Sequence, residues 1–138
     1  MFKRLFFFGI CLTFICFFTL SNNAPIFLKF SDNFEVYTVN YSSSSEIINV
    51  NALTYRFVFS KKGESASIER DKFNLSDFLS SMNAKIIFTE QVEDRNIYYA
   101  YSPSIKYLKV IGDKKINLQI CVKTDSVKVG SPLIFGSF

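Results

Sequence analysis

The chain has 138 residues, a formal net charge of +4, three cysteines, and neither histidine nor tryptophan. That length fits one domain. The missing histidine excludes Ser/His/Asp and Cys/His nucleophile systems and any His-bearing metal site, and the scattered glycines form no phosphate-binding loop.

Lys3 and Arg4 precede "LFFFGICLTFICFFTL", Leu5 to Leu20, a block without charge. Its sixteen residues fall short of the roughly 20 that span a bilayer. They exceed the ~7–15 of a cleavable hydrophobic region. An uncleaved transmembrane anchor is expected, with the N-terminus in the cytoplasm and the rest outside. The alternative is a signal peptide cut after Ser21, since Thr19 and Ser21 are both small. Residues 1–24 are then anchor or signal peptide, 25–32 a linker carrying "IFLKF", and 33–138 one extracytoplasmic domain. Without Lys3 and Arg4 the balance is fourteen basic against twelve acidic residues, so the high pI is no nucleic-acid signature. Cys121 is the only cysteine beyond the apolar block, which leaves the domain without an internal disulfide.

"NFEVYTVNY" has strand composition, and "SSSSE", Ser42 to Glu46, reads as a polar loop. "TYRFVFSKKGESASIER" reads as a hairpin turning at Lys62–Gly63. That register pairs Phe59 with Ala66 and Phe57 with Ile68, and sets Arg56 opposite Glu69 and Lys61 opposite Glu64. "NLSDFLSSMNA" predicts a short helix, with Leu75, Phe78, Leu79 and Met82 on one stripe. Asn74 is its N-cap, Asp77 sits in its first turn, and Asn83 closes it in a left-handed conformation.

From Ala84 onward the pattern is β. "KIIFTEQV" and "IYYAYSP" flank the polar "EDRN". "IKYLKVI" and "KINLQICV" flank Gly112–Asp113, where Gly suits the first central position of a type II′ turn. This register pairs Ile105 with Ile120, Tyr107 with Leu118, Lys106 with Gln119, Leu108 with Asn117 and Val110 with Lys115. Lys106, Lys115 and Gln119 then face outward. A turn near Asp125–Ser126 sets Val122 against Val129, and Pro132 confines "PLIFGSF" to an edge or tail. The expected fold class is α+β, an N-terminal transmembrane or signal helix followed by a curved antiparallel sheet with one short helix on a face.

Four features bear on chemistry. Glu69 with Asp71, and Glu93 with Asp94, are the paired carboxylates, best read as solvated charges. Asn40–Ser42 and Asn74–Ser76 match glycosylation sequons. Cys121 shares a face with Asn117, Gln119 and Lys123, and is either a small half-buried filler or a reactive thiol beside lysine. Finally, Tyr98, Tyr99 and Tyr101 make one strand aromatic on both faces. Either another element covers the second face, or it offers tyrosines, with Lys106 nearby, to a partner.

The tail "KKINLQICVKTDSVKVGSPLIFGSF", with "YYAYSP" upstream, resembles the C-terminal signature of the YwmB family. These are small secreted or membrane-anchored proteins of endospore-forming bacteria. Ile116–Gln119 matches its "VNLQ"-like strand and Gly130–Ile134 its "GSPLI"-like end. The resemblance implies a sheet-plus-helix fold like that of a TATA-box-binding protein, without an established function; it does not imply DNA binding, because the expected anchor sends the domain to the wrong side of the membrane. The domain is shorter than is usual in that family, which argues against a two-repeat architecture. The function expected is a membrane-anchored extracytoplasmic interaction module without catalytic activity, linked to sporulation or the cell envelope. It would contact the membrane through residues 5–20 and an envelope protein or the cell wall through its domain, with no cofactor, metal or nucleic acid. The alternatives are a secreted binding or inhibitor protein released by signal cleavage, or a carboxylate- or Cys-dependent enzyme.

Overall fold

A computed structural model describes residues 2–21, 23–38 and 47–135. It opens on helix α1 (Phe2–Ser21) and continues as an α+β domain. Strands β1 (Asn33–Tyr37), β2 (Ile47–Asn51), β3 (Gly63–Glu69), β4 (Lys85–Val92), β5 (Arg95–Tyr101), β8 (Leu118–Val122) and β9 (Ser126–Ser131) form one antiparallel sheet in the order β2-β1-β3-β9-β8-β5-β4. Strands β6 (Lys109–Ile111) and β7 (Lys114–Ile116) form a separate hairpin. The last strand therefore lies in the middle of the sheet and joins its N-terminal and C-terminal halves.

Alternation along the strands sends Phe34, Val36, Ala66, Val129, Leu118, Ile120 and Ala100 to one face, where all are buried. Helix α2 (Leu75–Ser81) helps to cover that face with Phe78, around which Phe30, Phe73 and Phe27 gather at ring separations of 4.7, 5.4 and 6.4 Å. The capping reading holds. Asn74 accepts a hydrogen bond from the Asp77 N–H at 3.1 Å, and Asn83 adopts a φ of 49° just past the end. Two turns of helix gain little from propensity alone, so the packing of Phe78 keeps α2 in place.

Several expected registers are corrected. The Thr54–Arg70 hairpin does not form. Asn51 Oδ1 accepts from the N–H groups of Leu53 and Thr54 at 3.0 and 2.9 Å, which turns the chain out of β2 into a 3-10 turn at Thr54–Phe57. Strand β3 takes β1 and β9 as its neighbours, pairing Ala66 with Phe34 and Val129 and Ile68 with Val127. Phe57 and Phe59 stay in solvent. The Gly112 turn does form, with φ of 62° at Gly112 and Val110 opposite Lys115. Its ladder stops at Lys109–Ile116, because β8 leaves it to pair Ile120 with Tyr98 and Leu118 with Ala100. The Ile105–Ile120 and Tyr107–Leu118 pairs are absent for that reason. At the next turn Val122 opposes Val127, not Val129, since the connection closes two residues tighter than expected.

The stretch expected as a linker packs as part of the domain. Phe27 is fully buried, and Ile26 and Phe30 pack beside it. The tail after Pro132 also folds back, placing Ile134 against Ile97 and Cys121 on the second face of the sheet. Gln119 is thereby buried, not outward, and its Oε1 accepts from the Ile134 N–H at 2.8 Å. The Ser42–Glu46 loop and the Asn40 sequon lie outside the described residues. Among those residues, no helix is long and apolar enough to cross a membrane.

Candidate functional site

Three places hold the chemistry-bearing residues, and they differ in access. The first is closed. Glu64, the second residue of β3, lies on the core side and is fully buried. Its Oε1 accepts from the backbone N–H groups of Ile26 at 2.5 Å and Phe27 at 3.4 Å, and its Oε2 accepts from the Tyr55 hydroxyl. Burial drives the Glu64 carboxyl above its ordinary range, against the lowering effect of these donors and of Lys106. Burial and the neighbouring Glu64 push the Tyr55 phenol up as well. Tyr107 is pushed up to about 12 by burial and then by Glu64. The buried Tyr107 hydroxyl lies against that of Tyr55, and among the described residues it has no hydrogen bond of good geometry. Lys61 stretches across the Tyr55 ring, 4.5 Å from its centre, and donates to the carbonyls of Val58 and Tyr55 at 2.5 and 3.3 Å. A carboxyl with no exposed surface cannot meet a substrate. Its work is to tie residues 26–27 and the Tyr55 turn to the sheet.

The second place is the polar part of the opposite face. Glu35 takes an ion pair from Lys128 at 2.8 Å and a hydrogen bond from Ser65 at 2.9 Å, and Tyr37 donates to Ser65 at 2.6 Å. Glu35 and Ser65, together with Asn33, Asn49 and Asn51, line an open groove of about 720 Å³. Its carboxylate, Glu35, is already paired with Lys128.

The third place is the outer end of the sheet, and it is open. Among the described residues, strand β4 is the last strand of the sheet and pairs on one side only, with β5. All its residues but Phe88 are exposed, including Ile86, Ile87 and Val92. A bulge between Ile86 and Phe88 interrupts its start and leaves Phe88–Val92 as a regular, unpaired edge. Beside that edge runs an aromatic strip. Phe88 opposes Tyr99 with rings stacked at 4.3 Å, Tyr99 donates to Glu90 at 3.0 Å, and Lys114 lies 4.9 Å over Phe88. Tyr101 is exposed at the end of β5, opposite Lys85.

The expected site residues divide accordingly. Tyr99 and Tyr101 share this strip. Tyr98 does not, because adjacent strand residues point to opposite faces, and it packs against the main core. Lys106 also departs, lying 5.2 Å over the Tyr107 ring in the neighbourhood of Glu64. Lys114 from β7 takes the place beside the aromatic rings that the sequence reading gave to Lys106. Phe88, Glu90 and Lys114 were missed. The apolar run "KIIF" was a signal for the edge, but nothing in the sequence says which strand of a sheet is outermost. Cys121 is buried between Ile97 and Ile134, and that burial raises its thiol above the ordinary value despite Arg95 and Lys123. Glu69 forms an exposed ion pair with Lys72 at 2.6 Å, and Asp71 sits in a 3-10 turn beyond the strand. Among the described residues no group of three or more metal-ligating side chains occurs. No family model, curated protein or solved structure matches the chain.

Proposed function

We propose that the protein is a membrane-anchored interaction module of the cell envelope, without catalytic activity, which takes an extended segment of a partner protein against strand β4. The observation that carries this reading is the bare Phe88–Val92 edge with the Phe88–Tyr99–Tyr101 strip beside it. An unpaired edge supplies main-chain donors and acceptors for an added strand. The strip supplies apolar area and ring faces for alternate side chains of that strand. Lys85 and Lys114 at the strip favour a segment with acidic side chains.

The anchoring half of the proposal rests on α1. Leu5, Phe6, Phe7 and Phe8 fill one helical turn and all are exposed, so every side of the helix is apolar. At 1.5 Å per residue the uncharged block is about 24 Å long, shorter than a bilayer core of about 30 Å. By itself no described helix is long and apolar enough to cross a membrane, so the anchoring requires local thinning and the reach of Lys3 and Arg4 to make up the difference.

The test uses the full chain in its native membranes. A photocrosslinking residue at Thr89, exposed on the β4 edge, is expected to give a discrete adduct that Y99A weakens. The same residue at Asp71 should give none. Equal yield at both positions, or no adduct at Thr89, refutes strand addition at β4.

A further inference from the structure

We infer that the turn carrying Leu53, Phe57 and Phe59 is a second membrane contact, docking on the anionic surface of the same bilayer that holds α1. This inference rests on the anchoring reading above. The three side chains are 74, 68 and 80 % exposed, an unusual outlay of large apolar surface on seven residues of backbone. None of them takes part in the core.

Position decides what covers them. Asn23 donates from its Nδ2 to the Arg56 carbonyl at 3.2 Å. Asn23 is two residues beyond Ser21, the last residue of α1. Two Cα steps span at most about 7.6 Å. The exit of the anchor and the apolar turn are therefore neighbours whatever the tilt of the helix. Their neighbourhood is enforced from inside as well. Glu64 holds Ile26 and Phe27 with one oxygen and Tyr55 with the other. The turn cannot move away from the chain that leaves the helix without breaking that cluster.

Charge agrees with a lipid surface. Between Ala52 and Gly63 there are three basic residues, Arg56, Lys61 and Lys62, and no acidic one. Arg56 and Lys62 are exposed. Phenylalanine and leucine flanked by basic side chains suit the boundary between headgroups and acyl chains, about 5–10 Å deep. Docking would then fix the orientation of the domain. Strand β4 lies at the opposite edge of the sheet from β2, which feeds the turn. The partner-binding edge would thus be held away from the membrane surface.

The chain has no tryptophan, so a single introduced indole reports one place. F59W, F14W and V92W are each made in the full chain and reconstituted into vesicles containing anionic lipid with bromine high or low on the acyl chains. F59W is expected to shift to the blue and to lose emission chiefly to the high bromine. F14W should be quenched by either bromine, and V92W by neither. F14W quenched with F59W unquenched overturns the docking while leaving the anchor intact. Both unquenched overturns the anchor and the docking together. Quenching of V92W equal to that of F59W also overturns the docking, since it marks indiscriminate adsorption. A blue shift of F59W that depends on protein concentration and not on bromine assigns the turn to a second copy of the chain, which equally defeats the lipid contact.

Discussion

Replacing Glu64 by alanine and by glutamine separates two things that its carboxyl does. Alanine leaves the N–H groups of Ile26 and Phe27 and the hydroxyl of Tyr55 without their acceptor, all at a buried place. Each orphaned buried donor costs about 1–3 kcal/mol, so E64A should lose roughly 3 kcal/mol or more. For a domain of about a hundred residues that lowers the midpoint of thermal unfolding by about 12 °C or more. Glutamine keeps an oxygen for the two N–H groups and presents an amide to Tyr55, whose hydroxyl can rotate to accept it. It also cannot ionise. Because burial raises the Glu64 carboxyl, the folded chain keeps its proton at pH values where the unfolded chain has released it. The stability linked to this group is fully present below the unfolded value of about 4.3 and is lost as pH rises through the raised folded value. E64Q should therefore match the parent in acid, lack this loss, and exceed the parent at alkaline pH. The assay is near-ultraviolet circular dichroism of the full chain in detergent, followed through thermal unfolding from pH 4 to 9. If E64A unfolds within about 1 kcal/mol of the parent, or E64Q keeps the parent's pH slope, the buried-acid argument is wrong.

Y107F should unfold within about 0.5 kcal/mol of the parent, because the contact of the Tyr107 hydroxyl with Tyr55 is no hydrogen bond of good geometry; a loss above about 2 kcal/mol would make that contact a real hydrogen bond. N74A should cost about 1 kcal/mol through the lost cap of α2, measured by denaturant unfolding. G63A should be far more severe, since a Cβ there would sit 2.5 Å from the Ser131 carbonyl oxygen, where backbone must shift. Its unfolding midpoint in urea should fall clearly below that of N74A. Brief alkylation of the folded chain followed by peptide mass spectrometry should leave Cys121 unlabelled, and it should label only after denaturation.

Local patterns were legible where one element could declare itself. The cap and stripe of α2 are written in Asn74, Asp77, Phe78 and Asn83. The Gly112 turn is written in a glycine that reaches φ of 62°. The aromatic strand at Tyr99–Tyr101 was visible too, though its division between faces follows from alternation, which puts Tyr98 in the core. What failed was partner choice. "TYRFVFSKKGESASIER" satisfies a hairpin pattern, yet β3 gains more by pairing with β1 and β9, which bring Phe34 and Val129 onto Ala66. Hydrophobic gain from distant strands outweighs a plausible local turn, because it buries the same residues against a whole core.

The sequence alone determined the uncharged N-terminal block, the absence of histidine chemistry, the single domain cysteine and the α+β class. These depend on composition and on short-range periodicity, which no tertiary contact can change. Only the tertiary structure decided that the C-terminal strand sits mid-sheet, that β4 is an open edge, and that Glu64 joins Ile26, Phe27 and Tyr55. Each of those is a choice between partners far apart in the chain. A strand's pattern shows which faces must be covered, but only competition among all strands for the core settles what covers them and which edge is left free.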